Sequence, residues 1–319
     1  MIHDQTKKSD RLNRRELLMA GAVAVTGASL VNAEAKSPGP WIDAHSHIWT
    51  PETGKFPLRG KLTKDDLDPA SFTDDELMAV AAPHGVGRAV LIAHTGYYGF
   101  DNSYLIDAYK RHPERFRVVG MVDDRQPETG KRIKQLLGSG VTGFRIKPQS
   151  VTDQTWLKTP GMIDMWQTAA ATGQSMCCLI NPENLAEVDR MCGDHPDTNV
   201  VIDHFARVGI DGTLPEKHVA SLCQLARHRN TYVKVSAYYA LGKKQPPYDD
   251  LIPMIRRVYD SFGPARLMWA SDCPYQLGGT NTYKASIDLI KTRIDFLSAD
   301  DRQWLLRKTA EQVFFSAAF

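Results

Sequence analysis

The sequence lacks the patterns that mark several protein classes. Its five cysteines include no CxxC pair, so neither a disulfide framework nor a zinc ribbon is indicated. The chain also lacks a large excess of either charge, because 39 Lys and Arg against 37 Asp and Glu leave a formal charge of +2. That balance argues against a nucleic-acid partner held through phosphate contacts. With 42 % hydrophobic and 24 % charged residues, the 319-residue chain has the composition of a globular protein.

Residues 1–35 differ from the rest of the chain. A basic start with an arginine pair at 14–15 precedes an apolar run over 17–31, and residues 33–35 read Ala-Glu-Ala, a small-x-small cleavage pattern. The apolar residues are contiguous, which disfavours an amphipathic helix, and the run is shorter than the roughly 20 residues of a bilayer span. The sequence therefore predicts a twin-arginine signal peptide over 1–35, a linker over 36–40, export to the periplasm or medium, and no stable membrane anchor.

From residue 41 onward, short apolar runs alternate with longer amphipathic stretches. Eight runs rich in Val, Ile and Met are predicted strands, namely Trp41–Ala44, Arg88–Ala93, Phe116–Val122, Val141–Lys147, Ser175–Ile180, Asn199–Asp203, Tyr232–Ser236 and Arg266–Ser271. Between them, Asn102–Lys110 and Glu183–Met191 have helical spacing. This alternation predicts the α/β class and a (β/α)8 TIM barrel, in a single domain over 41–319. A doubly wound open sheet is the alternative, but no GxGxxG follows the first strand. The irregular segment 50–74 is expected to form a lid or wall.

The first predicted strand ends in two histidines. His45 and His47 are two residues apart, so on a strand both imidazoles point to the same side. They come at the carboxyl end of the strand, where barrel enzymes place their active sites. Two imidazoles at one point favour a zinc-like divalent ion, although either histidine could instead be a hydrogen-bonded core residue.

Two later strand ends add similar side chains. His204 follows the apolar Val200–Ile202 run, and Asp272 follows the last predicted strand. Because the first and last strands of a closed barrel are neighbours, Asp272 is expected beside His45 and His47. A carboxylate there can bind a metal and accept a proton from an activated water. Alternatively, His204 could be a capping histidine and Asp272 a helix N-cap.

The ordered motifs resemble the amidohydrolase superfamily, in its amidohydrolase-related (amidohydrolase 2) branch of metal-dependent hydrolases and lactonases. The segments that carry the resemblance are His45 with His47, Val201–His204, Val233–Ser236 and Arg266–Pro274. The resemblance extends from about Trp41 to the C-terminus. It implies one barrel domain and one divalent ion, Zn²⁺ or Mn²⁺, held by His45, His47, His204 and Asp272.

The resemblance further implies hydrolysis of a lactone or related cyclic ester, with Asp272 as the catalytic base. One departure concerns the fifth strand, which in the family contributes a histidine and here contains none. Cys178, Asn181 or a water would fill that position. Two alternatives stay open: non-oxidative decarboxylation of an aromatic or muconate-type acid on the same site, and a non-catalytic binding protein on a barrel scaffold.

Four further side chains are candidates for substrate binding. Arg145 and Lys147 share one side of the fourth strand and would favour a small anionic substrate. His94 ends the second strand and could orient a carbonyl, act as an acid, or be a structural, hydrogen-bonded histidine. After the seventh strand, Tyr238 or its neighbour Tyr239 could donate to a developing oxyanion or simply pack, and Tyr238 is the predicted site residue.

Lys147 has a second interpretation, since other branches of the superfamily place a carbamylated, metal-bridging lysine at this strand end. Lys234 shares strand parity with Ser236 and is expected to face inward, where it needs a carboxylate partner. The oligomeric state is left open by the sequence.

Overall fold

Eight parallel strands form the centre of the molecule. The computed structural model describes residues 39–150, 153 and 155–316. The strands are β1 (Trp41–Ser46), β2 (Val86–Ile92), β3 (Phe116–Gly120), β4 (Val141–Ile146), β5 (Ser175–Cys178), β6 (Asn199–Ile202), β7 (Thr231–Val235) and β8 (Leu267–Trp269). Each pairs with the next in chain order. The predicted signal peptide over 1–35 lies outside the described residues.

The ring closes between the segments that follow β1 and β8. The amide of Asp272 donates to the carbonyl of His45 at 2.8 Å, and the amide of His47 donates to the carbonyl of Cys273 at 2.7 Å. Ser46 and Cys273 accordingly form a parallel bridge. The predicted (β/α)8 TIM barrel is confirmed, and its closing contacts lie at the carboxyl ends of the strands.

Helices follow the strands and cover the outside of the barrel. Within the described residues the α-helices are α1 (Asp74–Ala81), α2 (Thr95–Tyr98), α3 (Ser103–Arg111), α4 (Thr129–Leu137), α5 (Pro160–Thr172), α6 (Leu185–Asp194), α7 (Glu216–Gln224), α8 (Ile252–Phe262), α9 (Tyr283–Asp288) and α10 (Ala299–Gln303). The π-helical segments Leu289–Arg293, Trp304–Lys308 and Glu311–Phe315 extend the last two. The two predicted helices correspond to α3 and α6. In the part of the chain that is described, no helix has the length and apolarity needed to cross a membrane.

Alternate strand residues bury two separate apolar layers. Inside the barrel, Ile42, Val90 and Met268 pack together with Phe314 of the C-terminal helical segment. The opposite faces of the strands pack against the surrounding helices, with Trp269 and Trp166 fully buried there. Both layers remove apolar surface from water, which is the main stabilising term of the fold.

The segment 50–74 lies beside the β1–β2 edge of the carboxyl face. Trp49 and Phe72 exchange two backbone hydrogen bonds at its ends, and the amide of Arg59 donates to the carbonyl of Tyr97 at 2.7 Å. It contributes none of the described residues that line the main cavity. It is therefore not the lid or wall of that cavity that the sequence led us to expect.

Candidate metal centre

Three donor atoms, from the carboxyl end of β1 with the residue after it and from the segment after β8, lie close together. The Nε2 atoms of His45 and His47 are 3.4 Å apart, and they lie 3.4 and 3.5 Å from Oδ1 of Asp272. Strand parity places the two imidazoles on one side, and barrel closure brings the carboxylate to them. Donors that bind one ion tetrahedrally at about 2.1 Å are about 3.4 Å apart, so this spacing fits a metal such as Zn²⁺.

His204 reaches the same carboxylate from β6 through a left-handed turn. Four consecutive residues have positive φ, namely His204 (52°), Phe205 (53°), Ala206 (53°) and Arg207 (57°). Such a turn of non-glycine residues costs about 1–2 kcal/mol per residue. It brings both His204 and Arg207 to the cavity, and Nε2 of His204 lies 3.7 Å from Oδ2 of Asp272.

The hydrogen bonds behind two of these histidines fix their tautomers. Nδ1 of His47 lies 2.9 Å from the carbonyl oxygen of Ile92, which can only accept, so Nδ1 carries the proton. Nδ1 of His204 lies 2.8 Å from Oγ of Ser236, whose hydroxyl donates to the carbonyl of Lys234 at 3.3 Å. That hydroxyl oxygen therefore accepts from His204. Both Nε2 atoms are left with a free lone pair, as metal ligation requires.

Burial decides the charge of the four side chains. It lowers the pKa of His45 well below its usual value, that of His47 less strongly, and that of His204 to about 4. Burial alone would raise the pKa of the Asp272 carboxyl, but the facing histidines, His204 first and then His47 and His45, outweigh it and hold that pKa below the usual range. Neutral imidazoles beside an ionised carboxylate are the donor set of a divalent cation.

A second carboxylate lies beneath this cluster. Lys234 is fully buried, and its Nζ lies 3.0 Å from Oδ1 of Asp203 and 3.1 Å from Nδ1 of His45. Burial raises the pKa of Asp203, but the Lys234 charge outweighs this and holds the pKa well below its usual value. Lys234 therefore faces inward as predicted, and Asp203 is its partner. Nη2 of Arg145 also approaches, 3.6 Å from Oδ2 of Asp203 and 2.8 Å from Nε2 of His45.

A cavity of about 260 Å³ opens above the cluster. Its polar lining consists of His47, Arg145, His204, Arg207, Tyr239, Asp272 and Tyr275. Among the described lining residues Asp272 is the only acid, facing two arginines. The hydroxyl of Tyr239 donates to Oδ2 of Asp272 at 2.7 Å, which holds the carboxylate in place.

Comparison with known proteins agrees with this geometry. The model of the family described as amidohydrolase matches residues 42–315. The chain belongs to the amidohydrolase family. An L-fucono-1,5-lactonase of Burkholderia ambifaria is 28 % identical over 236 residues, which is 73 % of this chain and 80 % of that protein. A 2-pyrone-4,6-dicarboxylate hydrolase of Comamonas testosteroni is 26 % identical over 250 residues, covering 75 % and 78 %. A zinc-bound amidohydrolase structure from Burkholderia multivorans matches with a TM-score of 0.68 at 20 % identity, covering 86 % of this chain and 99 % of that one.

The structure of this amidohydrolase corrects one predicted site residue. Tyr238 is fully buried, and its hydroxyl donates to the carbonyl of Val235 at 2.9 Å. The cause is Ala237, whose φ of 57° turns the chain so that Tyr238 enters the core and Tyr239 enters the cavity. Tyr239 is therefore the tyrosine of the site.

The remaining candidates occupy different places in this amidohydrolase. Arg145 lines the cavity, whereas Lys147 lines a smaller adjoining pocket together with Asn181 and Arg207. His94 lies behind the cavity wall, where its Nε2 is hydrogen-bonded to the hydroxyl of Tyr275. Lys147 thus lies outside the cavity that His47 and Asp272 line, and this position does not fit a metal-bridging role.

The proposed fifth-strand ligands are not in the cluster. Cys178 packs in the outer layer of the barrel, because its neighbour Cys177 is the ladder partner of the inward-facing Arg145. Burial raises the pKa of the Cys178 thiol well above its usual value. Asn181 instead lies in the adjoining pocket, 3.5 Å from Nη1 of Arg207.

Two residues that line the cavity, Arg207 and Tyr275, were not predicted from the sequence. Each comes three residues after a predicted ligand, His204 and Asp272, and that spacing was the available signal. It was not decisive because both segments leave regular structure at residues with positive φ, where strand parity no longer applies.

Proposed function

We propose that this amidohydrolase opens a lactone or related cyclic ester that carries an anionic group, by attack of water on the ring carbonyl. The observation that carries the proposal is the cluster of His45, His47 and Asp272 donors, 3.4–3.5 Å apart, beneath an open cavity. The two curated relatives named above are hydrolases of a lactone and of a pyrone. Their substrates are cyclic esters, which favours this reaction class.

The residues divide the chemistry between them. We propose Zn²⁺, with Mn²⁺ as the second candidate, held by His45, His47, His204 and Asp272. When bound, such an ion supplies Lewis acidity that polarises a carbonyl and lowers the pKa of water. Asp272 accepts the proton of the attacking water and returns it to the leaving alkoxide. The hydroxyl of Tyr239 keeps that carboxylate oriented.

The charge of the cavity supports an anionic substrate. Arg145 and Arg207 both line it, and burial together with Arg145 lowers the pKa of Arg207. Lys147 in the adjoining pocket has its pKa lowered by burial and by the same two arginines. These neighbouring positive charges repel one another, and a bound carboxylate would offset that repulsion. A carboxylate also accepts charge-assisted hydrogen bonds from a guanidinium.

The test is a substrate panel on protein reconstituted with Zn²⁺, on the same protein after chelation, and on the Asp272→Asn variant. L-fucono-1,5-lactone, 2-pyrone-4,6-dicarboxylate and an aromatic carboxylic acid would be followed by acid release and by carbon dioxide release. We expect acid release from a lactone that is lost on chelation and in Asp272→Asn. Carbon dioxide release would instead support decarboxylation, and full activity after chelation would refute the metal.

Export is a separate proposal. The basic, apolar and small-residue pattern of 1–35 supports a twin-arginine signal that is removed to leave the barrel domain. Mass spectrometry of protein recovered from the native host's periplasm or medium would give the mature N-terminus. A terminus within 34–41 is expected, and an exported chain beginning at Met1 would contradict the proposal.

A further inference from the structure

His94 connects a short helix to the wall of the cavity. Its Nδ1 accepts a hydrogen bond from the amide of Tyr97 at 3.1 Å and so caps α2. Its Nε2 is hydrogen-bonded to the hydroxyl of Tyr275. The imidazole lies so close to the backbone that a Cβ on Gly96 would come within 2.8 Å of His94 Cε1. His94 is therefore held between two partners with little freedom to turn.

These two contacts determine where the protons lie. A backbone amide can only donate, so Nδ1 of His94 is the acceptor and carries no proton. The single N–H of the neutral ring is then on Nε2, and it donates to the hydroxyl oxygen of Tyr275. Because that oxygen is engaged as an acceptor, the Tyr275 hydroxyl must direct its own hydrogen elsewhere.

The open side of Tyr275 is the cavity. The residue lines the cavity and is 42 % exposed, and no acceptor for its hydrogen is found among the described residues. Its ring packs edge-on against His47, with centroids 5.6 Å apart, so the hydroxyl belongs to the rim around the donor cluster.

We propose that Tyr275 donates its hydroxyl hydrogen to the carbonyl oxygen of the bound cyclic ester, and that His94 is a positioning residue that fixes the direction of this donor. The inference rests on the proposed function and names a further residue of that site. During attack of water the carbonyl oxygen gains negative charge, and a preoriented donor at that oxygen stabilises the transition state more than the ground state. No bond to Tyr275 or His94 is made or broken.

Kinetic variants separate donation from structure. Tyr275→Phe removes the donor and is expected to lower kcat on the order of 100-fold, with a much smaller change in KM. Tyr97→Phe is the matched control, because Tyr97 stacks on His94 but does not line the cavity. His94→Asn keeps a cap near Nδ1 and loses the donor to Tyr275, whereas His94→Gln keeps an amide donor near Nε2. We expect His94→Gln to retain more kcat than His94→Asn.

A double variant tests whether His94 acts through Tyr275. If it does, His94→Asn adds little to the loss already caused by Tyr275→Phe. If the fold-losses of kcat in the two single variants instead multiply in the double variant, His94 has only a structural role. A kcat of Tyr275→Phe as high as that of Tyr97→Phe would overturn donation by Tyr275.

A spectroscopic measurement makes the inference independent of turnover. Long-range ¹H–¹⁵N correlation of histidine-labelled protein, with His94 assigned by its absence in His94→Gln, reports which ring nitrogen is protonated. A proton on Nε2 is expected, and a proton on Nδ1 would overturn the positioning role. If the wild type opened no lactone, the proposed function would fail, and this result would still decide the His94 arrangement.

Discussion

Nη2 of Arg145 lies 2.8 Å from Nε2 of His45, the nitrogen that also faces His47 and Asp272. A guanidinium hydrogen bond and a metal bond require the same lone pair of His45. The cation of Arg145 and a divalent ion therefore oppose each other, both for that lone pair and by charge.

The first prediction concerns this competition. Arg145→Met is expected to bind Zn²⁺ about tenfold or more tightly than the wild type, because a positive charge beside the ligands is removed. The same variant is expected to raise KM for an anionic lactone. Competition with a chromophoric chelator measures the affinity, and Arg125→Met, at an exposed arginine paired with Asp123, is the control. Unchanged affinity in Arg145→Met would contradict the competition.

The second prediction distinguishes the two adjacent tyrosines. Tyr239→Phe removes the 2.7 Å hydrogen bond to Asp272, and we expect kcat to fall about tenfold or more, as for hydrogen bonds to charged groups. Tyr238→Phe removes a buried hydrogen bond to the carbonyl of Val235 and should lower the free energy of unfolding by about 1 kcal/mol without changing kcat. Steady-state kinetics and urea unfolding measure both. A fall in kcat in Tyr238→Phe, with kcat unchanged in Tyr239→Phe, would instead support Tyr238 as the site residue.

The third prediction concerns the buried ion pair under His45. Lys234→Met leaves the Asp203 carboxylate buried, with Nη2 of Arg145 and Nδ1 of His45 each 3.6 Å from it, and is expected to destabilise the fold by about 3–5 kcal/mol. Adding Asp203→Asn removes the unpaired charge and should recover part of that loss. Urea unfolding at neutral pH gives both free energies. A single variant as stable as the wild type would show that Asp203 needs no partner.

The fourth prediction is a loss of stability in mild acid for the metal-free protein. The pKa values of His94 and His204 are lowered by burial to about 3 and about 4. In the unfolded chain both histidines titrate near 6.5, so as the pH falls below that value the unfolded state binds protons that the folded state does not. Stability is thus fully present above pH ~6.5 and is lost toward pH ~4, by up to about 1.4 kcal/mol per pH unit and histidine.

Urea unfolding between pH 7 and pH 5 after chelation measures this loss. His94→Asn should reduce the pH dependence, because it removes one of the buried neutral histidines while keeping a cap for α2. His218→Asn, outside the site, is the control. Stability that is equal at the two pH values would contradict the assignment of both histidines as neutral.

The barrel and its metal donors were predictable because they depend on regular structure. Period-two parity places His45 and His47 on one side, and closure of the ring places Asp272 beside them. The same parity, applied to the register in which Arg145 pairs with Cys177, would also have excluded Cys178 as an inward ligand.

The rest depends on turns that follow the strands. Because Ala237 has a positive φ, Tyr238 points into the core and Tyr239 points into the cavity. The left-handed turn at 204–207 likewise brings Arg207 to the cavity. A local sequence of ordinary, non-glycine residues gives no sign of such conformations. The hydrogen bond between His94 and Tyr275 joins segments 181 positions apart and depends on the assembled barrel.

The backbone contacts that shut the barrel have a consequence for the site. The hydrogen bonds from Asp272 to His45 and from His47 to Cys273 connect the residues of the donor cluster, the first directly and the second through the neighbour of Asp272. Parting of the β1 and β8 edges would therefore pull the two histidines away from the carboxylate in the same motion. A bound cation would hold these two strand ends together. Hydrogen exchange at the backbone amides of His47 and Asp272 would then be slower with the ion bound than without it.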